Sequence, residues 1–268
     1  MQTITGKSNQ YLKLARALQT RKGRQASGCF AVEGCRLAEE AASRAHCEFA
    51  LFATDALAAP RMQALAERLA ASGVSCFALA DHLLAQACET QHPQGVLVAV
   101  RLPQLLRPTD GNGWYAYCDD IADPGNLGTI WRSAHAAGAS GLLLSAASAD
   151  PFNPKAVRAS MGACFKLPVY RCASAEDAAA LFSQLGLLPL SAAADGRDVR
   201  LCGDWLAEPH VWLLGGEANG VQPYWRSHAA AVSLPMQADA ESLNVAAAAA
   251  VLFYQSRFRQ EKDGALRG

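Results

Sequence analysis

The stretch at residues 234–254 constrains the fold most, because it joins a strand to a helix of unusual composition. Residues 229–234 are apolar and predict a strand that Pro235 ends, since proline has no backbone donor for a sheet. After a short polar loop, five alanines at residues 246–250 favour a helix with a slim surface. Ser242 is predicted to cap this helix. Another backbone should therefore approach the helix closely.

The loop before this helix carries Glu241, Ser242 and Asn244 at the junction of strand and helix, a common place for ligands in α/β folds. A lone loop of this kind is more typical of an ordinary capped helix. Two further segments, residues 119–134 and 213–221, also place polar residues or glycines after an apolar strand. The three loops together predict a site.

The composition indicates a globular protein, with 51% hydrophobic and 18% charged residues in a chain of 268. This length allows one large domain or two small ones. The formal net charge is zero, but residues 1–32 hold six basic residues and no acidic one. Residues 1–107 carry 12 basic and 8 acidic residues. This asymmetry suggests an N-terminal module that touches a polyanion, and a solvated helix face explains it equally well.

Nine cysteines are scattered along the chain, and no pair has C-x-x-C spacing. The odd count and the spacing argue against a disulfide framework and against zinc, so no metal site is predicted. A reducing, cytoplasmic location is expected. No apolar run reaches membrane-spanning length, and residues near the N-terminus lack the apolar core of a signal peptide. No membrane association is predicted.

The order of apolar patterns predicts two α/β domains, at residues 1–100 and 114–268, with a linker at 101–113 rich in proline and glycine. In the first domain, helices are predicted at residues 4–25, 34–44, 56–73 and 81–88, and strands at 28–33, 48–54, 74–79 and 95–100. In the second, strands are predicted at residues 114–119, 142–145, 187–192, 211–214 and 229–234, and helices from near Asn126, after Asn153, at 175–185 and from Ser242 to Phe258.

Residues 119–134, 213–221 and 234–254 resemble motifs 1, 2 and 3 of the SpoU/TrmH family of RNA ribose methyltransferases, within the SPOUT class. They occur in the family's order and at similar separations. The glycine turn at residues 215–220 lacks the Gly-Lys-Ser/Thr ending of a P-loop and the G-x-G-x-x-G of dinucleotide-binding enzymes. Segments around Lys7, Arg21, Glu33 and Gln94 resemble the substrate-binding extension of the family, which is similar to a small ribosomal-protein-like RNA-binding fold.

The resemblance implies an α/β domain of SPOUT type with a deep C-terminal trefoil knot, preceded by that small RNA-binding domain. It implies S-adenosylmethionine as the cofactor, in a pocket lined by Gly215, Gly216, Leu234, Met236 and Leu243. It implies a catalytic group formed by Asn126, Arg132, Glu217, Ser242 and Asn244. RNA contacts are predicted for Arg21, Lys22, Arg24 and Arg158, although Arg158 could instead pair with acidic residues. Ala238 and Ala246 depart from the family's usual glycine and serine.

Arg132 is the residue that the family resemblance proposes as the proton acceptor. Arginine keeps its proton in proteins almost without exception. Arg132 could instead stabilise a developing alkoxide and bind the adjacent phosphate. The sequence leaves the role of Arg132 open but predicts that the residue is essential for activity.

The predicted partners are an RNA, with ribosomal RNA favoured over tRNA because of the N-terminal extension, and a second copy of the chain. The homodimer is expected because the helix from Ser242 to Phe258 carries more apolar surface than one domain face needs. The alternatives are a tRNA ribose methyltransferase, a non-catalytic RNA-binding protein of the same fold, and a dinucleotide-dependent enzyme, which the missing glycine fingerprint disfavours.

Overall fold

The computed structural model describes residues 1–90, 93–216, 219–237, 239 and 242–262. Their contacts divide the chain into two compact units. Unit 1 comprises Met1–Gln104 and Asp150–Phe165, and unit 2 comprises Leu105–Ala149 and Lys166–Gly268. The first boundary falls inside the predicted linker.

The regular elements follow one another in an α/β alternation. The strands are β1 Gln2–Ile4, β2 Cys29–Glu33, β3 Cys47–Ala53, β4 Ser75–Leu79, β5 Val96–Arg101, β6 Trp114–Asp119, β7 Gly141–Leu144, β8 Val169–Arg171, β9 Leu188–Asp198, β10 His210–Gly215 and β11 Ala230–Ser233. The helices are α1 Gln10–Ala17, α2 Arg21–Ser27, α3 Cys35–Arg44, α4 Pro60–Ala71, α5 Asp81–Ala85, α6 Pro124–Ala137, α7 Pro154–Ser160, α8 Ala175–Leu185, α9 Gly203–Ala207 and α10 Val245–Lys262.

Unit 1 is built on a sheet whose described strands lie in the order β1-β4-β3-β5-β2. Strands β1, β3 and β4 run parallel, whereas β5 is antiparallel to both of its neighbours. Leu12, Ala15 and Leu18 of α1 pack with Leu51 and Phe77 on one face of the sheet. Helices α3 and α4 contact each other and the strands from the opposite face. The sheet core is therefore covered by helices on both faces.

The predicted single helix over residues 4–25 is wrong. Residues near the N-terminus form β1, and the helical part divides into α1 and α2. Thr20 starts the second helix, because its hydroxyl accepts from the backbone N–H of Gly23 at 3.1 Å. A Cβ on Gly23 would lie 2.0 Å from the carbonyl oxygen of Ala17. The end of α1 thus lies so close to α2 that the chain must turn there.

Residues 150–165 pack within unit 1, although the predicted division places them in the second domain. The buried Arg24 guanidinium donates to the Asp150 carboxylate at 2.6 and 3.1 Å, and also to the Leu18 carbonyl at 2.8 Å. The rings of Phe30 and Phe152 lie 4.9 Å apart between centroids. A buried ion pair and an aromatic contact therefore anchor this segment to α2 and β2.

Unit 2 is built on a sheet whose described strands lie in the order β11-β9-β10-β6-β7-β8, and all of their pairings are parallel. Strand β6 lies centrally, and each of its six residues is buried. Parallel strands end at the same edge of a sheet, where loops from different parts of the chain meet. The register pairs Asp119 at the end of β6 with Gly215 at the end of β10.

Helix α10 begins at Val245, and Asn244 caps it. The Asn244 Oδ1 atom accepts from the backbone N–H groups of Ala246 at 2.9 Å and Ala247 at 3.3 Å. The predicted cap at Ser242 is therefore wrong. Ala246 and Ala249 are buried on the side where α10 packs against α6. The close backbone approach expected from the five alanines thus occurs within the chain.

None of the helices in the described part of the chain is long and apolar enough to cross a membrane. All nine cysteines are free thiols.

A buried polar network ties α10 to β10 at the strand's first residue. The His210 imidazole contacts the Ser256 hydroxyl through Nε2 at 2.7 Å and the Glu208 carbonyl through Nδ1 at 2.7 Å. Trp212 donates its indole N–H to the same hydroxyl at 2.8 Å. Because a carbonyl only accepts, Nδ1 carries the proton, and Nε2 accepts from Ser256. Burial lowers the pKa of His210 to about 4, so the ring is neutral near pH 7.

We predict that His210 makes unit 2 sensitive to acid. The unfolded chain takes up a proton near pH 6.5, whereas the folded chain resists protonation down to about pH 4. The stabilisation from neutral His210 is therefore complete above pH 6.5 and is lost as the pH falls towards 4, by at most about 3 kcal/mol. Urea unfolding of wild type and His210→Gln at several pH values measures this loss, since glutamine cannot titrate.

The variant should be less stable at pH 7 and should show a shallower decline between pH 6.5 and 4. The comparison cancels the contributions of all other titrating groups. Replacement of the exposed His228 of unit 2 by glutamine is the matched control and should keep the wild-type slope. An identical slope in His210→Gln would contradict the neutral buried ring.

Candidate active site

A cavity of about 680 Å³ opens at the carboxyl edge of the unit 2 sheet. It lies among the loop after β6, the start of α6, the loop after β10 and the start of α10. Its lining includes Asp120, Asp123, Asn126, Gly216, Gln222 and Val245. The three segments predicted to share a site therefore meet around one space.

Asn126 and Asn244, which come from different segments of the predicted site, are in direct contact. The Asp123 carboxylate caps α6 by accepting from the backbone N–H of Asn126 at 2.8 Å, and Pro124 occupies the first turn. This fixes Asn126 in the first turn of α6. The Asn244 Nδ2 group donates to Asn126 Oδ1 at 3.2 Å. A side chain at the start of α10 thus reaches the start of α6.

Gly215 and Gly216, at the end of β10 and directly after it, have no room for side chains. A Cβ on Gly215 would lie 1.9 Å from the carbonyl carbon of Gly220 and 2.1 Å from the nitrogen of Val221. A Cβ on Gly216 would lie 2.8 Å from the Asp120 carbonyl oxygen. The backbone N–H of Gly220 closes the turn by donating to the Gly216 carbonyl at 2.9 Å. Gly215 and Gly216 therefore let the chain close tightly on itself and on Asp120, and Gly216 and Gly220 contribute to the wall of the cavity.

The other predicted site residues do not line the cavity, or lie outside the described residues. Arg132 is exposed on α6, and its guanidinium makes no hydrogen bond or ion pair with the described residues. Ser242 and Leu243 are exposed beside Asn244. Leu234 is half-buried and Met236 is exposed, and neither lines the cavity. Glu217 and Ala238 lie outside the described residues.

Sequence reasoning missed a hydrogen-bonded cluster centred on Asp119. This carboxylate is fully buried, and it accepts from the backbone N–H of Gln222 at 2.6 Å and from the Gln222 amide at 2.9 Å. Burial, together with the charge of neighbouring Asp120, raises the pKa of Asp119 to about 6 in spite of the hydrogen bonds from Gln222, which lower it. Two consecutive acids at the end of an apolar strand were the available sequence signal.

The loop after β7 holds Asp120 in place. The Ser145 hydroxyl donates to the Asp120 carboxylate at 2.7 Å and accepts from the Asp120 N–H at 2.9 Å. Asp120 has a φ of +57°, a left-handed conformation that is uncommon for aspartate. Arg171 donates to the carbonyls of Ser145, Ala146, Ser148 and Ala149. This guanidinium therefore fixes the loop that supports the site.

The four predicted RNA contacts fall into two groups within unit 1. Arg21 and Lys22 are exposed at the start of α2. Arg24 is only 2% exposed, and its ion pair with Asp150 occupies its charge. Arg158 pairs with Glu89 at 2.6 Å and lies 3.8 Å from Glu33. Arg24 is thus a structural residue in this fold, and Arg158 has the acidic partners that were its alternative.

Comparison with known proteins matches both parts of the chain. Residues 114–254 match the SpoU rRNA Methylase family, and residues 9–98 match an MRM3-like substrate binding domain. An uncharacterized tRNA/rRNA methyltransferase of Synechocystis is 30% identical over 96% of this chain and 94% of its own. A 23S rRNA guanosine 2'-O-methyltransferase of Bacillus subtilis is 29% identical over 96% of this chain and 100% of its own.

A solved structure agrees with these relatives. It is an rRNA methyltransferase from Sinorhizobium meliloti with bound AdoMet, which is S-adenosylmethionine. It is 29% identical, covers 96% of this chain and 97% of its own, and has a TM-score of 0.85. The fold and the site thus define an RNA methyltransferase. The chain belongs to the SpoU rRNA methylase family, and both the predicted family and the predicted α/β fold of SPOUT type are confirmed.

We predict that Gly215→Ala weakens binding of the expected cofactor at least about tenfold, because the new Cβ forces the backbone of the turn apart. Gly203→Ala is the matched control, since a Cβ at the start of α9 meets no atom within 4 Å. Titration calorimetry with S-adenosylmethionine measures both variants. Equal affinity of Gly215→Ala and wild type would exclude the turn from the cofactor site.

Proposed function

We propose that the chain transfers a methyl group from S-adenosylmethionine to a ribose 2'-hydroxyl of ribosomal RNA. The contact between Asn126 and Asn244 carries this proposal, because it joins motif 1 to motif 3 beside the bare glycine turn. Family membership and the cofactor-bound relative confirm the predicted enzyme class and cofactor. The transfer forms a bond from ribose oxygen to the methyl carbon, breaks the bond from sulfur to carbon, and releases the hydroxyl proton.

The residues of the site fit a nucleoside-sized cofactor. Gly215 and Gly216 allow the chain to pack closely on Gly220 and Asp120, and Gly216 lies in the wall of the cavity. Exposed Leu243 and Met236 lie on the loop before α10, outside the cavity lining, and we propose that their apolar surface contacts the cofactor. When bound, S-adenosylmethionine supplies a methyl group already activated by its sulfonium charge. The protein therefore has to align the two reactants and stabilise the oxygen that loses its proton.

We assign the latter task to Arg132, which the family resemblance had proposed as the proton acceptor. An arginine side chain keeps its charge, so it stabilises a developing alkoxide and holds an adjacent phosphate rather than taking the proton. The side-chain amides of Asn126 and Asn244 orient the reactants through hydrogen bonds. Ser242 lies on the same loop as Asn244, and Glu217 completes the proposed group by orienting the guanidinium.

The N-terminal domain is proposed to bind the RNA. Its match to a substrate binding domain supports this division, with residues 1–100 for the substrate, 101–113 as the linker and 114–268 for methyl transfer. The Bacillus relative acts on 23S rRNA, which favours ribosomal RNA over tRNA.

Unit 1 offers exposed basic side chains for this contact, namely Lys7, Lys13, Arg21 and Lys22. In the described part of the chain, none of these side chains pairs with an acid. Two of the cations lie at the start of α2, where the helix dipole disfavours positive charge and no acid offsets it. Phosphates would relieve that repulsion. The RNA surface therefore excludes Arg24 and keeps Arg21 and Lys22.

The function is tested by label transfer from S-adenosylmethionine to ribosomal RNA isolated from cells that lack the gene. Wild type should produce a 2'-O-methylated nucleoside, identified after nuclease digestion. Arg132→Ala should lower kcat about a hundredfold or more, since one positioned charge is removed from the developing alkoxide. Label that enters tRNA instead, or no RNA at all, would overturn the proposal.

The same assay separates docking from chemistry. The double variant with Arg21→Glu and Lys22→Glu should raise KM for RNA about tenfold, with a flatter dependence on salt and unchanged cofactor affinity. Arg68→Glu is the control, because α4 lies on the opposite face of the unit 1 sheet. An unchanged KM and salt slope would make the basic surface a solvated helix face.

We propose that the enzyme is a homodimer formed through α10. Ala247, Val251, Tyr254 and Phe258 form an exposed apolar stripe at helical spacing, and the last three are 45%, 38% and 52% exposed. The other side of α10 already packs on α6. A second copy would bring the same stripe, so a two-fold interface covers both at once. Exposed Arg132 could then act at the site of the partner.

The double variant with Val251→Glu and Phe258→Glu should sediment as a monomer, because charge is introduced into the apolar interface. Leu201→Glu is the control, since it alters another exposed apolar side chain of unit 2. A shared site predicts partial activity when inactive Arg132→Ala and Gly215→Ala proteins are mixed. A fully active wild-type monomer would contradict the dimer, and a dimer without recovery would place each site within one chain.

The deep trefoil knot and the cytoplasmic location stay predictions. The nine free thiols are compatible with a reducing compartment.

A further inference from the structure

The loop that follows β10 is tied back to the neighbouring strand at a specific point. Gln222 donates both its backbone N–H and its side-chain amide to the buried Asp119 carboxylate, at 2.6 and 2.9 Å. The two oxygens of Asp119 are thus used by one residue in a two-point contact. Hydrogen bonds to an ionised carboxylate are about twice as strong as neutral ones.

Gln222 also bridges Asp119 to the residue that follows it. The Gln222 amide lies 3.3 Å from the Asp120 carboxylate, which Ser145 holds from the loop after β7. Asp120 keeps its left-handed backbone within this contact. A strained residue of this kind persists where the surroundings define its conformation, and such positions cluster at functional sites.

The tie lies at the end of the glycine turn. The chain leaves β10 at Gly215, closes on itself through Gly216 and Gly220, and reaches Gln222 only two residues later. Gln222 and Gly216 both line the cavity. The described ends of this turn are the glycines 215, 216 and 220, which have no side chains to pack, so the path of the chain there depends on how those ends are held. The start is held by β10, and the end is held by Asp119.

We propose that Asp119 and Gln222 are positioning residues that hold the glycine turn in its cofactor-binding shape, so that S-adenosylmethionine affinity requires the ionised Asp119 carboxylate. This inference rests on the proposed function. Neither residue was predicted from the motifs, and both act through the turn.

The proposal predicts that cofactor affinity falls at low pH, where Asp119 is protonated. Burial raises the pKa of Asp119 to about 6, and among the described residues Asp120 supplies the acidic charge that acts on it. Tyr117 and Cys118 on the same strand are held neutral, because burial raises the pKa of each. When Asp119 takes up a proton it loses one acceptor position. Binding that requires the carboxylate should therefore weaken as the pH falls below about 6, by up to about tenfold.

The test is calorimetric titration of the full-length protein with S-adenosylhomocysteine, the demethylated form of the cofactor, between pH 5 and pH 8. Asp119→Asn preserves shape but keeps one acceptor oxygen instead of two. Its Kd should rise about tenfold at pH 7.5 and should then vary less with pH than that of wild type. Gln222→Ala keeps the backbone contact, so its Kd should rise about threefold, with the wild-type pH dependence retained.

Ser256→Ala distinguishes a general loss of stability from a specific effect on the glycine turn. It disrupts the buried network at the first residue of β10 rather than at the end of that strand. This control should lower the thermal midpoint and leave Kd and its pH dependence unchanged. If Asp119→Asn binds the ligand with the Kd and pH dependence of wild type, the inference is overturned. Binding by wild type in that case still supports the proposed function. A wild-type protein that binds no S-adenosylhomocysteine would overturn both.

If Asp119→Asn fails to fold, Gln222→Ala decides the question, because its side chain is only partly buried. Wild-type affinity in that variant would overturn the inference.

Discussion

The parallel pairing of β6 with β10 is the constraint on which the site depends. Its register sets Asp119 opposite Gly215, so two chain segments separated by almost a hundred residues end side by side. Strands buried on both faces hold that register firmly, because a slip would expose apolar side chains and unpaired backbone. The glycine turn and the start of α6 consequently emerge at one edge. Every proposed catalytic group belongs to a loop or helix that starts there.

The contact of α6 with α10 completes this arrangement. Slim residues on α10, Ala246 and Ala249, let the two helices approach, and Asn244 at the start of one helix reaches Asn126 on the other. The same asparagine caps α10 with its oxygen, so its amide group is left to donate across the gap. Helix capping and site assembly are thus performed by one side chain.

Much of this arrangement could be predicted from the chain's pattern, because apolar runs and loop residues identify strands and strand ends locally. The grouping of Asn126 with Asn244, by contrast, was expected only through the resemblance of their segments to family motifs. The two-point contact between Asp119 and Gln222 could not be predicted in either way, since it depends on strand register and on a turn whose path no local pattern encodes. Ser242 and Asn244 are both good capping residues, and only the packing of α10 decides between them.

Charge patterning had a similar limit. Arg21, Lys22 and Arg24 form one basic cluster in the sequence, yet the third is buried against an acid 126 residues away. Composition cannot distinguish a cation that meets solvent from one that meets a distant carboxylate. The division of the predicted helix over residues 4–25 also depends on a contact that local sequence does not reveal. Gly23 is compatible with a continuous helix in the sequence, and only the close approach of α1 shows why a glycine is needed there.

The placement of residues 150–165 in unit 1 has a consequence for how the chain is made. During synthesis, the N-terminal unit emerges before the acid that neutralises its buried Arg24, since about 45 residues of unit 2 are translated first. A buried cation without its partner is strongly destabilising. The first module therefore reaches its full stability only after part of the second has left the ribosome. The two units therefore alternate along the chain and during its synthesis. No single cleavage of the chain separates one complete unit from the other.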